Sequence, residues 1–430
     1  MQFKSAVLLG ALSTAVLGAS SSAAVSASAS ASATTTYSIA SGCSFTSATA
    51  TAQADLDKYA SCEALVGDLT IEGDGLAVAY LNGVKAIYGS LTIFNATQLT
   101  SFTANSLGSI SEEFKLNALT ILTTLALPAL SAVGSINFVT LPALDSIQLN
   151  TGITKIDSLV ISDTALETLD GFDVTHLDTF NVNNNKNLNS IDSSLEFVNV
   201  ALEVSFNAKT VEVSFDQLQW ANNMTFRDIS SASFAKLQAV NASLGFINTS
   251  LSQIEIPTLT TVGGSLAIVS NEDLEDLELA NLTSIAGGFE IANNTELSNI
   301  DGFNSLETVG GAIIFIGAFN NASLPSLKRV SGGAHIESSG ELDCSPFNSL
   351  DKKGAIQGDA YVCKGKSTST SIALSAATKA ASSSSSETAT ATATASTTKA
   401  SSSSKAAAGS VAVQVGSIFA GVAGLALALI

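Results

Sequence analysis

The feature that most constrains this chain is a repeat of about 22 residues. Short segments that open with Gly or Asp and continue as an alternating apolar strand recur along it, beginning at Gly67, Gly89, Gly134, Asp157, Gly264 and Gly288. One apolar anchor per copy gives thirteen positions: Leu69, Leu91, Ile110, Ile136, Leu159, Phe180, Leu202, Met224, Phe246, Leu266, Phe289, Ala312 and Ala334. A unit this short cannot bury its own apolar face, so the copies must stack into a solenoid.

A second phrase, L-x-x-(V/I)-x-G, lies between the strands, as in IPTLTTVGGS from Ile256 and LPSLKRVSGG from Leu324. It supplies two apolar side chains and then a glycine bend, so each unit offers two or three short strands. A leucine-rich horseshoe is a poor fit, because the connecting segments are too short and too rich in β-branched residues for its helical side. We therefore predict an all-β fold, a parallel β-helix-like solenoid of about 22-residue coils with strands stacked ~4.8 Å apart.

Asparagine recurs just after the predicted strands, at Asn95, Asn184, Asn207, Asn271 and Asn293. Asparagine tolerates the left-handed turn conformation, and its amide side chains can hydrogen-bond to one another along a stack. These residues are therefore expected to form a structural ladder, with Asn95 and Asn293 buried within it.

The four cysteines stand in two pairs, one at each end of the repeat region. Four cysteines allow three pairings. Local pairing, Cys43 with Cys62 and Cys344 with Cys363, is the simplest in an oxidising compartment, and it would close the first and last coils. A metal site is a poorer interpretation, because no CxxC spacing or nearby histidine accompanies these cysteines. Leu56 and Tyr59 follow helical spacing within residues 48–62, which predicts a short N-terminal capping helix.

Both ends of the chain carry targeting signals. Residues 1–19 read as a secretory signal peptide, with an early Lys4, an apolar run and small residues at the exit. Residues 411–430 contain no charge and follow the small-residue segment KAAAGS, which is the arrangement of a signal for attachment to glycosylphosphatidylinositol (GPI). We predict attachment at Gly409, with Ala408 and Ser404 as alternatives. An uncleaved N-terminal membrane anchor and a tail-anchored helix are the competing interpretations.

Between the ends, composition divides the chain into an ectodomain at 34–363 and a stalk at 364–410. The stalk is almost entirely Ser, Thr, Ala and Lys, so it is expected to be disordered and O-glycosylated. Two fused halves within the ectodomain remain an open alternative. Lys4, five stalk lysines and Glu387 lie outside the ectodomain, which leaves it 36 acidic and 12 basic residues and a net charge of −24. A surface this negative argues against nucleic acid as a partner.

Seven N-x-S/T sequons lie in the predicted ectodomain, more than chance readily supplies. In a secreted chain this pattern predicts N-glycosylation at several of them. The candidate asparagines are Asn95, Asn223, Asn241, Asn248, Asn281, Asn293 and Asn321.

Together these features resemble a known family, the fungal GPI-anchored cell-wall organisation proteins, which includes sporulation-specific wall proteins. The resemblance is carried by the phrase L-x-x-(V/I)-x-G-G-S-L-x-I, clearest at residues 259–268, and by GFEIANNTELSNIDGF at residues 288–303. The Ser-rich stalk and the anchor signal match as well. The family implies a receptor L-domain-like ectodomain, a role in wall assembly and integrity, and a place at the plasma membrane or wall. Residues 195–220 match poorly, and we expect a feature particular to this protein there.

Enzymatic chemistry has few candidates in this sequence. Hydrolysis of a glycan would need two carboxylates at a defined separation. The pair Glu112 and Glu113 would point to opposite faces of a strand. Asp170 and Asp173 form another pair. The acidic run Glu272, Asp273, Glu275, Asp276 and Glu278 reads as a solvated turn, with a weak calcium site as the alternative.

The two histidines, His176 and His335, and the two arginines, Arg227 and Arg329, are isolated in the sequence. We therefore predict no catalytic residue, metal or cofactor. The expected function is that of a non-catalytic GPI-anchored glycoprotein required for wall organisation, with the GPI lipid and wall glucan or wall proteins as partners. A β-helix enzyme acting on wall polysaccharide and a receptor-like module for a glycan or peptide are the alternatives.

Overall fold

The structure is a computed structural model that describes residues 37–366. Residues 39–366 form a parallel β-solenoid of about thirteen coils with two short helices, which confirms the predicted fold class. The predicted signal peptide, the GPI attachment at Gly409 and the residues 411–430 lie outside the described residues, as does the stalk beyond Lys366. Strand β33 reaches Lys364, one residue into the predicted stalk.

Nearly every element is a short strand. The helices are α1 (Gln53–Asp57) and α2 (Ser345–Lys352). In chain order the strands are β1 (Ser44–Ala50), β2 (Ala64–Ile71), β3 (Val78–Tyr80), β4 (Ala86–Tyr88), β5 (Leu91–Phe94), β6 (Ser101–Thr103), β7 (Ser109–Asn117), β8 (Thr124–Ala126), β9 (Ala132–Leu141), β10 (Ile147–Gln148), β11 (Ser158–Thr164), β12 (His176–Asn183), β13 (Ser190–Asp192), β14 (Phe197–Ser205), β15 (Val211–Ser214), β16 (Trp220–Ala221), β17 (Met224–Arg227), β18 (Ile229–Ser233), β19 (Ala239–Val240), β20 (Leu244–Ile247), β21 (Gln253–Glu255), β22 (Thr261–Val262), β23 (Leu266–Val269), β24 (Asp276–Glu278), β25 (Ser284–Ile285), β26 (Phe289–Ala292), β27 (Asn299–Ile300), β28 (Thr308–Val309), β29 (Ile313–Gly317), β30 (Asn321–Ala322), β31 (Arg329–Val330), β32 (Ala334–Ser338) and β33 (Tyr361–Lys364).

Each coil has three sides. In one well-formed coil β22 is the first side, β23 the second and β24 the third. In parallel register, β22 and β23 pair with their equivalents in the next coil, and β24 pairs with β21 of the preceding coil. First and second sides together make the 22-stranded main sheet, and third sides make small sheets of two to four strands. Along each strand of the second side, apolar residues that point inward alternate with residues that point outward. Because the strands of successive coils are paired in register, these residues form one inward row and one outward row along the solenoid.

The core is the inward row of each side. On the second side Leu244, Leu266, Phe289 and Ile313 follow one another in register, and all four are fully buried. Three of the thirteen anchors are wrong: the residues in this row are Phe114, Leu244 and Ile313 rather than Ile110, Phe246 and Ala312. An irregularity in β7 between Ile110 and Glu113 displaces the first of them.

The corner after the second side holds one left-handed non-glycine residue in each of ten successive coils. These residues are Asn95, Ala118, Thr140, Asp163, Asn184, Phe206, Asp228, Asn248, Ser270 and Asn293, with φ between 50° and 58°. Asn95 and Asn293 belong to this row and are exposed, so their predicted burial is wrong. The predicted ladder exists and contains Asn207 and Asn271 as predicted, but Asn185 and Asn294 take the places predicted for Asn184 and Asn293.

Buried asparagines one position after the left-handed residues form two short ladders. In the first, Asn185 accepts from the amide and hydroxyl of Thr164 at 3.0 and 2.7 Å, and Asn207 accepts from Asn185. In the second, Asn271 accepts from the amide and hydroxyl of Thr249, and Asn294 accepts from the amide of Asn271. The side-chain amides also donate to backbone carbonyls of the preceding coil, so each ladder joins three coils.

A disulfide lies at each end of the solenoid, with the predicted pairing Cys43–Cys62 and Cys344–Cys363. The N-terminal helix is also present, but α1 is shorter than the predicted segment because residues 48–50 belong to β1. The Asp55 carboxylate accepts from the amides of Thr51 and Ala52, which caps this short helix. At the other end α2 buries Phe347 against the last coils, a cap that the sequence analysis did not predict.

Candidate functional site

The outward row of the second side contains a shallow depression between β17 and β29, which we call the trough. Thr225, Gly245, Ala267 and Glu290 occupy consecutive positions of this row, paired in register from β17 to β26. Gly245 and Ala267 have no large side chains, so the surface is lower there than at Thr225 and Glu290 on either side. The result is a cavity of about 210 Å³ that opens on the sheet surface.

The two long walls of the trough differ in chemistry. Ile247 and Val269 form an apolar wall, two residues beyond the floor along each strand. Ser243 and Ser265 form the opposite wall, where each hydroxyl accepts an amide of the next coil, at 3.2 and 3.0 Å. Because a hydroxyl that accepts can still donate its own proton, this wall can donate hydrogen bonds to a ligand.

Glu290 closes one end of the trough. Its side chain is half-buried, and this burial raises the pKa of its carboxyl above the usual value. No hydrogen bond or ion pair to this carboxyl occurs among residues 37–366. Neither β23 nor β29, the strands on either side, carries a titratable side chain. Glu290 is thus a partly desolvated acid without a counter-charge.

Arg227 lies at the other end of the trough, beside an exposed aromatic ring. Its guanidinium carbon is 5.8 Å from the centroid of Phe206, a cation–π distance. Phe206 is 53% exposed and has φ 55°. A bulky residue in the left-handed region is strained and commonly marks a functional position. Phe206 falls within residues 195–220, the stretch expected to hold something particular to this protein.

A polar network continues the same face beyond Phe206. Glu203 accepts from Asn181 at 3.2 Å and from Ser205 at 2.9 Å, and Asn183 donates to Asn181 at 2.6 Å. Ser162 extends the network by donating to Asn183 at 2.6 Å. Along this face, the apolar trough and the hydrogen-bonding network are therefore separated by the Phe206 ring and the Arg227 guanidinium. Polar groups set beside an apolar surface are typical of ligand sites.

Comparison with known proteins places this fold among cell-wall proteins. Over 315 residues the chain is 46% identical to the cell wall mannoprotein PST1 of Saccharomyces cerevisiae, which covers 73% of this chain and 70% of that protein. It is 39% identical to the cell surface GPI-anchored protein ECM33 of Candida albicans, over 75% of this chain and 78% of that one. The chain belongs to this fungal cell-wall family. It is a GPI-anchored glycoprotein of the plasma membrane surface and wall, and it has a role in the cell wall.

A sporulation-specific relative agrees with this placement. Sporulation-specific protein 2 of S. cerevisiae is 36% identical over 72% of this chain and 62% of its own length. Neither a protein-family profile nor a solved structure matches the chain. In the part of the chain from 37 to 366, no helix is long and apolar enough to cross a membrane.

The carboxylates considered for catalysis do not converge. Glu112 accepts from Ser90 at 3.1 Å, whereas Glu113 accepts from Asn137 at 3.0 Å, so each faces a different neighbour. Asp170 and Asp173 are both exposed, and so is every member of the acidic run at 272–278. Among the described residues no group of three or more His, Cys, Asp or Glu could hold a metal ion.

The two histidines lie apart from the acidic residues considered above. His176 stacks on Phe197 with ring centroids 4.9 Å apart, and His335 lies 3.2 Å from Glu337 in β32. Arg329 donates to Gln357 at 3.1 Å on the first side of the solenoid, away from the trough. Each histidine and Arg329 therefore has a local structural partner.

The predicted glycosylation sites differ in accessibility. Asn95, Asn241, Asn248, Asn281, Asn293 and Asn321 are exposed. Asn223 is half-buried at the corner before β17, where its side-chain oxygen accepts from the amide of Ser243 at 3.2 Å. Glycosylation at these positions remains a prediction, with Asn223 the least accessible of the seven.

Sequence reasoning missed the trough. Arg227 was noted only as an isolated arginine, and Glu290, Gly245 and Ala267 were not singled out. The available signal was the small residue at the outward strand position of two successive copies, Gly245 in ASLGFI (242–247) and Ala267 in GSLAIV (264–269). That signal appears only when the copies are aligned in the register of the structure.

Proposed function

We propose that this protein is a non-catalytic scaffold of the fungal surface that is required for wall organisation and integrity. It would act by holding wall polysaccharide or wall proteins against the outer face of its main sheet while its GPI lipid fixes it to the membrane. The observation that carries the proposal is the long outward face of the second side, where the trough and the polar network lie in one strip. The names of the relatives, a cell wall mannoprotein and GPI-anchored surface proteins, support it.

The chemistry of the face favours binding over catalysis. A glycosidase needs an acid and a second carboxylate at a defined separation across the substrate. In the trough Glu290 is one acid, and the facing group at the other end is the guanidinium of Arg227. Their strands lie three intervals of ~4.8 Å, roughly 14 Å, apart. This arrangement can hold a ligand, but it offers no partner for acid–base cleavage of one.

A deletion strain tests the proposal. Cells without the protein should be sensitive to wall-binding dyes and should recover when the medium is osmotically supported. The matched control is a chain that lacks residues 411–430, which would be secreted without its anchor and should restore the wall poorly. Full rescue by that form would show that tethering is irrelevant.

A second assay addresses the enzymatic alternative directly. Purified protein is incubated with wall glucan, and the products are followed by size and reducing ends. We expect no cleavage and no transfer above the buffer control. Turnover at enzymatic rates would overturn the scaffold proposal, even if the deletion strain had a weak wall.

A further inference from the structure

We propose that the trough binds a linear polysaccharide whose sugars carry a primary amine, with the ammonium group held at Glu290. The inference rests on the proposed function, because it names the ligand class and the site through which the scaffold would hold the wall.

Charge complementarity selects a cationic ligand. Glu290 is half-buried and lacks a partner among the described residues. A partly desolvated carboxylate gains more from an opposite charge than an exposed one does, because water screens the pair less. The predicted ectodomain as a whole has a net charge of −24, which attracts polycations toward this surface at long range.

The floor selects a flat ligand with an apolar face. Gly245 and Ala267 present only a backbone and a methyl group, and a sugar ring presents its C–H groups on one face. The floor at Gly245 has room for a further atom, because a Cβ built there would have its nearest contact, Cδ1 of Ile247, at 3.6 Å. The floor therefore stays open because the residue is small, not because the backbone requires glycine.

The walls and the far end suit the hydroxyl groups of the same ligand. Ser243 and Ser265 can donate to sugar oxygens along one edge while Ile247 and Val269 cover the other. The guanidinium of Arg227 can donate to oxygens of a second sugar beyond the floor. Its strand lies roughly 14 Å from that of Glu290, farther than the Debye length of about 8 Å at physiological salt, so salt screens most of its repulsion of an ammonium group bound at Glu290.

The test is calorimetric titration of the purified mature protein with three probes of equal length. The probes are a glucosamine oligosaccharide, its fully N-acetylated counterpart and a neutral β-glucan oligosaccharide. We expect the glucosamine oligosaccharide to bind at least tenfold more tightly than either of the others. Equal affinity for the free-amine and acetylated oligosaccharides would overturn the proposed role of Glu290.

Two variants and two matched controls locate the binding. Glu290→Gln keeps the shape and removes the charge, and Gly245→Val fills the floor, so each should weaken binding at least tenfold. Glu72→Gln removes a charge, and Thr70→Val places a valine, on the same outward face near the first coils, and both should bind like the wild type. Unchanged binding by Glu290→Gln and Gly245→Val would place the polycation elsewhere on the acidic surface and overturn the inference.

The binding titration and the deletion strain test the inference and the proposed function separately. A trough that does not bind the amine leaves the deletion phenotype in place, so only the inference fails. A deletion strain with a normal wall overturns the proposed function, whatever the purified protein binds. A circular dichroism melt of each variant accompanies the titration. Weakened binding by variants that melt at or above the wild-type temperature supports the inference, and unchanged binding by such variants overturns it.

Discussion

The backbone amide of Asn271 donates to the side-chain oxygen of Asn294 at 2.9 Å, one coil further along the solenoid. The side chain of Asn271 in turn accepts from both the amide and the hydroxyl of Thr249, at 2.9 and 2.7 Å. Its own amide donates to the carbonyl of Phe246 at 3.1 Å. Since Asn271 is fully buried, water cannot replace any of these partners. Asn271 therefore links its own coil to the preceding coil through its side chain and to the next coil through its backbone amide.

Replacing this residue should be costly. In Asn271→Ala the amide and hydroxyl of Thr249 and the carbonyl of Phe246 lose their partner inside the core. Each unsatisfied group costs about 1–3 kcal/mol, so we expect a loss of about 3 kcal/mol or more in the free energy of unfolding, measured by urea denaturation. The control Asn299→Ala removes an exposed asparagine of β27 and should change stability by less than about 0.5 kcal/mol. Similar losses in the two variants would contradict the role of the ladder.

Two glycines of the solenoid should respond oppositely to the same substitution. A Cβ on Gly302 would lie 1.7 Å from the carbonyl oxygen of Leu277, whereas one on Gly245 has only ordinary contacts. We expect Gly302→Ala to lower the free energy of unfolding by about 1–3 kcal/mol through overpacking. Gly245→Ala should be neutral or stabilising by up to about 1 kcal/mol, because it restricts the unfolded chain. Equal melting temperatures for the two variants would contradict the close approach at Gly302.

The repeat alone made the solenoid predictable, because a 22-residue unit with period-two strands has no other way to bury its apolar face. Register was predicted less well. Ile110 and Phe114 are both apolar and both buried, so only the irregularity in β7 decides which of them continues the inward row. The trough was beyond prediction for the same reason. Gly245, Ala267 and Glu290 lie about 22 residues apart in the chain, and only the coil register makes them neighbours.

Phe206 should be a residue that the fold tolerates rather than needs. Its φ of 55° is costly for a bulky side chain, and the equivalent residue of the preceding coil is Asn184. Phe206→Asn is expected to leave the free energy of unfolding unchanged or to raise it by about 1 kcal/mol, because asparagine adopts this conformation more readily. Thermal melts measure this. A clear loss of stability would mean that the exposed ring packs against the body and is not held for a surface role.

The two disulfides should protect opposite ends of the solenoid. Each closes a loop of 19 positions, worth about 3 kcal/mol on the chain-entropy description. In the double variant Cys344→Ala with Cys363→Ala, hydrogen exchange should accelerate first in β29, β32 and β33, because an end coil has a neighbour on one side only. The matched variant Cys43→Ala with Cys62→Ala should loosen β1 and β2 instead. Uniform acceleration along the chain in either variant would contradict this local protection.

Glu290 should reduce the stability of the fold at neutral pH, in keeping with a group retained for binding. Burial raises the pKa of its carboxyl in the folded protein, so the folded state disfavours the ionised form. The resulting penalty is absent below the unfolded pKa of about 4.5 and is complete only above the raised folded pKa.

The prediction that follows is a pH-dependent difference between two proteins. Glu290→Gln should melt at a higher temperature than the wild type at pH 7, and the two melting temperatures should converge as the pH falls below about 4.5. Glu72→Gln on the same face is the control and should track the wild type throughout. A lower melting temperature for Glu290→Gln at pH 7 would mean that the carboxylate has a stabilising partner in the free protein, and the trough would then lack its open charge.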